Sequence, residues 1–298
     1  MSAANLETPA LNCSGDDSVA ARSSPATIGV SVVVPMFNEP ECAPVLVAAL
    51  SCLRQSFAEQ FDFQFLLIDD GSTDDTASLV DREIAGRSNF TLLRHAANRG
   101  IAAAIQTGVR AARHEVVVSM DCDLSYDPAS MPDMIDRLTP GVDLVTASPY
   151  HFEGAVEDIP RWRLRLSRLA SRLYGLACRQ KLSCYTSCFR VYRRSVVAPL
   201  ELKNEGFVGV AELLWKVVDE GGRVAEHPVV LRSRVAGQSK MRVVRAGLGH
   251  LRLIARIVRT RLLHLLFPNF LRRHPRQPVE LSTQSDSHLD SQLDSLPT

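Results

Sequence analysis

The stretch "VVVSMDCDLSYDP", Val116 to Pro128, sets an apolar run directly against Asp121, Asp123 and Asp127. Like charges this close behind a buried segment repel one another strongly unless something positive lies among them. The same design occurs twice earlier in the chain. "GVSVVVPMFNE" stops at Asn38 and Glu39, and "FQFLLIDDGSTDDT" stops at Asp69 and Asp70, before a Gly-Ser turn with Thr73 or Asp74 placed to cap the next helix. Continuous apolar runs of this length suit strands buried on both faces. "CAPVLVAALSCLRQ" and "GIAAAIQTGVRAA" have helical length and spacing, while "NFTLLRH" and "DLVTAS" read as further strands. Such alternation predicts an α/β unit with a mainly parallel sheet, whose ligands bind beyond the carboxyl ends of the strands. All three polar clusters then share one edge and form an acidic cleft.

No G-x-G-x-x-G follows the first strand and no G-x-x-x-x-G-K-[ST] occurs anywhere, which excludes a dinucleotide fingerprint and a P-loop. Any phosphate must be held another way. A D-x-D at a strand end offers carboxylate oxygens to Mg²⁺ or Mn²⁺, hard ions that accept a couple of carboxylates together with substrate phosphates. The seven cysteines are odd in number and scattered, so they form no disulfide framework and point to a reducing cytosol. Cys184 and Cys188 have no second Cys or His pair at zinc-site spacing, and buried thiols are expected instead.

With 298 residues, 46% of them apolar, the chain can bury a full-sized core, as one domain with appendages or as two small domains. Residues 1–28 are polar and lack the apolar core of a signal peptide, and residues 274–298 are polar too; both read as disordered tails. The formal charge of +1 hides a division: residues 1–158 hold 23 acids and 9 bases, residues 159–279 hold 6 acids and 25 bases. That asymmetry predicts an anionic partner for the second half. A nucleic acid is the poorer candidate, because the chain lacks aromatic platforms or a recognition-helix signature and the acidic strand ends would go unexplained.

Two basic segments are amphipathic. In "RWRLRLSRLASRLYG", Leu166, Leu169, Leu173 and Leu176 form one helical stripe and Arg161, Arg165, Arg168 and Arg172 another. Within residues 242–273, Leu251, Ile254, Val258, Leu262 and Leu265 line one face, but Arg252, Arg256, Arg259 and Arg261 interrupt the run. No segment is apolar for 18 residues, so a spanning helix is not expected. This helix reads as one lying on anionic lipid, the alternative being a core or dimer helix with a basic outer face.

Taken in order, "VVVPMFNE", "LLIDDGSTDDT", "NRGIAAAIQTGVRAA", "SMDCDLSYDP" and "RVAGQSKM" resemble the family 2 inverting glycosyltransferases, and among them the dolichyl-phosphate mannosyltransferase-like enzymes. The resemblance runs from about Val30 to Met241. It implies a GT-A nucleotide-diphospho-sugar transferase domain over residues 29–241, followed by the membrane-surface helix. It assigns Pro35, Phe37, Asn38 and Glu39 to the nucleotide-binding pattern, Phe37 standing where the family has Tyr. Asp69 and Asp70 would lie beside nucleobase and ribose, and Asp121 and Asp123 match the family's metal-associated D-x-D, with Ser125 where mannosyl relatives often have Gln. Arg163 and Ser167 match a helix that handles the lipid phosphate. Arg234, Ser239 and Lys240 match R-x-x-G-x-S-K, a loop over the donor diphosphate and acceptor phosphate. Glu212 matches an acid on the acceptor side.

Two places depart from that pattern. Ser148-Pro149-Tyr150 replaces Ser-Arg-Tyr, removing a phosphate-binding Arg, and Cys184 and Cys188 replace an Asp and a Gly; Arg190, Arg193 or Arg194 are the candidates to compensate. The implied activity is metal-dependent transfer of a hexose, mannose from GDP-mannose first and glucose from UDP-glucose second, to a polyprenyl phosphate at the cytoplasmic face of a membrane. Its phosphate oxyanion is already ionised at neutral pH, so no strong base is needed, in keeping with motifs that contain no His. A sugar-hydroxyl acceptor would require one, and Glu212 is then the candidate. The remaining alternative is an inactive membrane-associated subunit.

Overall fold

A computed structural model describes residues 27–178, 180–234 and 243–266. The chain runs β1 (Ile28–Met36), α1 (Cys42–Ser56), β2 (Phe61–Asp69), α2 (Thr76–Ile84), β3 (Phe90–Arg94), α3 (Ile101–Ala111) and β4 (Val116–Ser119). A 3₁₀ turn at Pro128–Ser130 leads into α4 (Met131–Asp136) and β5 (Leu144–Ser148). Then come β6 (Ala155–Val156), α5 (Arg161–Cys178), β7 (Arg190–Arg193), α6 (Arg194–Val197), α7 (Phe207–Asp219), β8 (Val224–Pro228), β9 (Val230–Leu231) and α8 (Val243–Leu266).

Seven strands form one sheet in the order β3-β2-β1-β4-β7-β5-β8, and β6 pairs with β9 in a short separate ribbon. All pairings in the large sheet are parallel except those of β7, which runs antiparallel to both β4 and β5. The single reversal has a consequence for the site. The residues that precede β7 arrive at the same sheet edge where β1, β2, β4 and β5 end.

Period-two alternation sorts the strand residues onto two faces. Val30, Val32 and Val34 join Phe63, Phe65 and Leu67 in a cluster with α1, α2 and α4. Val33, Leu66 and Ile68 face the other way, toward α3, α5, α7 and α8. Both faces are covered, which explains why the strands read as unbroken apolar runs. On the second face α3 sits unusually close to the sheet: a Cβ on Gly108 would overlap the Val33 side chain.

Helix α8 packs its Leu253 and Ile257 into this second cluster, where they are 1% and 0% exposed. His250 meets the Tyr174 hydroxyl at 2.8 Å, and Arg261 donates to the Ala177 carbonyl. Its Leu251, Val258, Leu262 and Leu265 stripe stays exposed. Residues 243–266 are thus tied to the sheet domain along one face and leave a second apolar face uncovered.

Gly108→Ala is expected to destabilise the protein by about 2 kcal/mol, since overpacking a filled interface forces side chains off their rotamers. Urea unfolding monitored by circular dichroism reads this directly.

Candidate active site

The turns after β1 and β2 are bonded into one unit. Asn38, at φ 52°, donates its main-chain N–H to Ser72 Oγ at 2.8 Å, and its side-chain Oδ1 accepts from Thr73 N at 2.8 Å. The Asp70 N–H reaches Met36 O at 2.8 Å. Asp69 is fully buried; its oxygens accept from Ser72 N at 3.0 Å and Arg94 Nε at 3.1 Å. Asp70 meets His95 Nδ1 at 2.7 Å, Asn98 Nδ2 at 3.0 Å, Arg99 N at 3.0 Å and Gly100 N at 2.7 Å.

A carboxylate has about four acceptor positions. The fold occupies them all on Asp70, which is 2% exposed. Here the structure differs from the expectation that Asp70 flanks a ribose: its carboxylate is committed to shaping the loop that leads into α3.

Beyond β4 the arrangement opens. Asp123 accepts from Ser125 N at 3.0 Å and Ser125 Oγ at 2.6 Å on one oxygen, and its other oxygen lies 3.1 Å from Arg234 Nε. The same guanidinium lies 3.5 Å from Glu39. Two strand ends, from β1 and β4, are thus joined through one Arg that follows β9. Asp121 has no such cation at close range among the described residues; the Cys188 thiol hydrogen-bonds it instead. Burial pushes its carboxyl up to about 7, the Asp123 charge adds to the shift, and Arg234 pulls part of it back. Asp127, the third acid of the opening stretch, is exposed and accepts from Ala129 N, capping the 3₁₀ turn.

Asp121, Asp123, Ser125 and Arg234 line one end of a cavity of about 970 Å³. Thr186, Ser187 and Cys188, brought there by the antiparallel β7, form its floor with Tyr126 and Tyr150. The cavity then runs between α5 and α8, past Leu166, Leu169, Leu173, Leu251 and Ile254. Arg163 and Ser167 stand between the polar and apolar ends. Ser167 Oγ is 3.0 Å from Thr186 Oγ1, and the buried Nε of Arg163 has no hydrogen-bond partner among the described residues.

Several expectations need correction. Glu212 does not line the cavity: it is 0% exposed and takes hydrogen bonds from Lys203 N, Asn204 N, Asn204 Nδ2 and Arg256. A carboxylate so committed anchors α8 and the 203–204 turn and has no room for a substrate proton. Nor do Arg190, Arg193 or Arg194 replace the missing phosphate ligand. Arg190 is fully buried on the carbonyls of Val210 and Tyr185, Arg193 is held by Val142, Leu138 and Thr139, and Arg194 by Val109 and Arg110.

Cys184 and Cys188 lie in a non-helical loop as buried free thiols. Ser239 and Lys240 lie outside the described residues. Sequence reasoning missed His250 and Phe207 in the cavity wall. Neither sits in a motif, and only the docking of α7 and α8 brings them there.

Two carboxylates on a strand-end loop facing a roomy cavity, one of them paired with a guanidinium as a stand-in cation, are hard oxygen donors that fit Mg²⁺ or Mn²⁺. Among the described residues no group of three or more His, Cys, Asp or Glu is placed to hold a metal. The remaining ligands would have to come from substrate or water.

A mainly parallel sheet with its carboxylates gathered at the carboxyl edge, above a cavity of this kind, defines a nucleotide-sugar transferase of the GT-A class. The model of glycosyl transferase family 2 matches residues 31–200, and the chain belongs to that family and is a glycosyltransferase. A polyprenol monophosphomannose synthase of Mycolicibacterium smegmatis is 28% identical over 237 residues, covering 76% of this chain and 85% of that one. A dolichol-phosphate mannosyltransferase of Pyrococcus furiosus is 28% identical over 215 residues, 72% of this chain and 59% of its own length. Among solved structures, glucosyl-3-phosphoglycerate synthase from Mycobacterium tuberculosis with Mn²⁺ and UDP-glucose superposes with a TM-score of 0.59 at 20% identity, covering 78% of each chain. That likeness establishes the shared fold.

Two outcomes follow from the site's electrostatics. Glu212→Gln is expected to lower stability by about 3 kcal/mol, the scale for breaking a buried ion pair, and thermal unfolding measures it. For Asp121 the sign is opposite to that of a salt-bridged acid. Its folded value of about 7 lies above the ordinary 3.8, so its ionisation costs stability as pH rises between those values. Asp121→Asn should therefore be more stable than the parent at pH 8, with the advantage vanishing near pH 4, in denaturation run at both pH values without metal.

Proposed function

We propose that the protein transfers a hexose, mannose in the first instance, from a nucleotide diphospho-sugar to a polyprenyl phosphate at the cytoplasmic face of a membrane. The observation that carries this reading is the cavity's two-part lining. Its polar end has Asp121, Asp123 and Arg234, and its other end is an apolar trough between α5 and α8. A lipid phosphate needs both environments at once. The names of the two mannosyl relatives point the same way.

In this reading the nucleotide lies over the β1 and β2 turns, against Pro35, Phe37, Asn38, Glu39 and Asp69. Arg163, with its unpaired Nε, and Ser167 receive the acceptor phosphate where the trough begins. Ser239 and Lys240 join them as the resemblance implies. Asp121 and Asp123 would hold Mg²⁺ or Mn²⁺, an ion that supplies charge stabilisation for a departing diphosphate.

The acceptor oxygen, already anionic, forms its bond to the anomeric carbon as the bond to the nucleoside diphosphate breaks. No proton moves, and in-line attack inverts the centre. Arg234 faces the charge that develops on the leaving group. Such chemistry suits a site in which Glu212, the acid that the resemblance placed on the acceptor side, is fully engaged elsewhere.

The surface around the trough supports action at a membrane. Leu166, Leu169 and Leu176 of α5 and Leu251, Leu262 and Leu265 of α8 are exposed, and Arg161, Arg165, Arg168, Arg172, Arg252 and Arg259 are exposed beside them. Apolar residues interleaved with arginines bind at the level of anionic headgroups. No helix among the described residues is long and apolar enough to cross a membrane.

The test is mass spectrometry of lipid extracts after incubation with undecaprenyl phosphate, Mn²⁺ or Mg²⁺, and GDP-mannose or UDP-glucose in parallel. A hexosyl-phospholipid is expected, with the GDP-mannose arm the stronger, and Asp123→Ala should reduce its formation by roughly 100-fold or more. Nucleotide binding without any lipid product would overturn the acceptor and leave the family intact.

A further inference from the structure

The carboxylates of the D-x-D loop are not waiting empty-handed for a metal. Asp123 has both oxygens engaged, one by Ser125 N and Oγ at 3.0 and 2.6 Å, the other by Arg234 Nε at 3.1 Å. Arg234 also pairs with Glu39, and the two acid side chains are only 7% and 10% exposed while that of Arg234 is 32% exposed. The guanidinium therefore neutralises two nearly buried acids and still presents part of itself to the cavity. The segment bearing it is fastened to the same loop, through a main-chain bond from Arg232 N to Ser125 O at 2.9 Å and an ion pair from Arg232 to Glu157 at 3.0 Å.

We infer that Arg234 is an internal counter-ion that competes with the metal for Asp123, and that a nucleoside diphosphate relieves the competition by giving the guanidinium another anion to bind. Metal and nucleotide then bind cooperatively through this one side chain. The inference rests on reading Asp121 and Asp123 as the metal carboxylates.

The physical basis is an exchange of partners. A metal arriving alone must strip Arg234 from Asp123 and leave a partly buried guanidinium with Glu39 at 3.5 Å as its remaining carboxylate among the described residues, which is unfavourable. A diphosphate oxygen pair matches the planar fork of Arg at least as well as a carboxylate does. When both ligands enter, the metal takes the carboxylates, Arg234 takes phosphate, and no charge is stranded. By linkage, the factor by which nucleotide tightens metal binding equals the factor by which metal tightens nucleotide binding.

The full chain is titrated with Mn²⁺, free ion being read by electron paramagnetic resonance, alone and with saturating UDP or GDP, with no acceptor present. The parent is expected to bind Mn²⁺ weakly alone and at least about tenfold more tightly with one of the nucleotides, within the usual range of coupling between sites. Arg234→Gln should bind Mn²⁺ alone more tightly than the parent, with most of the nucleotide enhancement gone. Its melting temperature without metal should fall and be restored by Mn²⁺, because Asp123 then lacks its guanidinium and welcomes a cation.

Should Arg234→Gln not fold, Arg234→Lys serves instead: its single ammonium cannot span both acids, so Mn²⁺ alone should again bind more tightly. Metal affinity unchanged or weakened in the variant, or enhancement left intact, overturns the inference. A parent that binds no Mn²⁺ with either nucleotide overturns both it and the metal reading. Absence of a lipid product bears on the acceptor alone.

Discussion

Parallel register is the constraint on which the rest of this molecule depends. Because β1, β2 and β4 run in one direction, with Met36 opposite Asp69 and Val33 opposite Ser119, the acids that follow each strand must meet at one edge. That edge would repel itself apart unless each charge were answered. The answers differ. Asp69 and Asp70 are satisfied by main-chain N–H groups and by Arg94, His95 and Asn98, all from the first half of the chain. Glu39 and Asp123 are answered by Arg234, from the second half. Asp121 meets no cation so closely among the described residues, and burial together with the Asp123 charge raises its pKa. Asp70, whose acceptor positions are all taken, is scaffold; acids answered by a partly exposed side chain, or more weakly, are where a ligand can enter.

The division of charge along the chain acquires a spatial meaning in the same way. The basic half supplies the inner partners Arg234 and Arg256, but most of its arginines on α5 and α8 remain outside, among exposed leucines. Helix α8 shows how one element serves both demands. Its Leu253 and Ile257 face holds the fold, its Leu251 and Ile254 line the cavity, and its Leu262 and Leu265 extend the apolar face outward. An amphipathic helix with two apolar stripes cannot bury both on a single sheet face, so the second is available to line a trough or meet a surface.

The strand-end acids and the alternation that places them were legible because buried parallel strands write themselves as unbroken apolar runs, and because Pro, Gly and Asp mark their ends. The antiparallel β7 was not legible. "FRVYRR" is too short and too charged to read as a central strand, and it is one only because Arg190 and Arg193 bury or anchor their guanidinium groups on main-chain carbonyls. The same fact removed them as phosphate ligands. Glu212 misled for a related reason. A lone acid amid "GVAELLWK" resembles a functional group, whereas its partners Lys203, Asn204 and Arg256 come from separate segments that only folding brings together. Local pattern reports what a segment wants to bury; it does not report which distant group will satisfy a buried charge.

The state of the candidate bases around the cavity bears on the choice of nucleophile. Glu212 is sealed, and burial lowers the basicity of His250, whose Nδ1 sits at the Tyr174 hydroxyl. A hydroxyl acceptor would have to lose a proton to some group in this cavity, and of the carboxylates that line it Asp121 and Asp123 are the ones read as metal ligands, which leaves Asp158. A phosphate acceptor makes no such demand. What it requires is a cationic seat for its charge, a dry channel for its chain, and a counter-charge for the departing diphosphate. In the proposed reaction Arg163, the trough between α5 and α8, and Arg234 beside Asp123 would answer those three requirements in turn. The electrostatics of the site thus favour an acceptor that arrives already ionised, and the same guanidinium that steadies the free enzyme is placed to steady the leaving group.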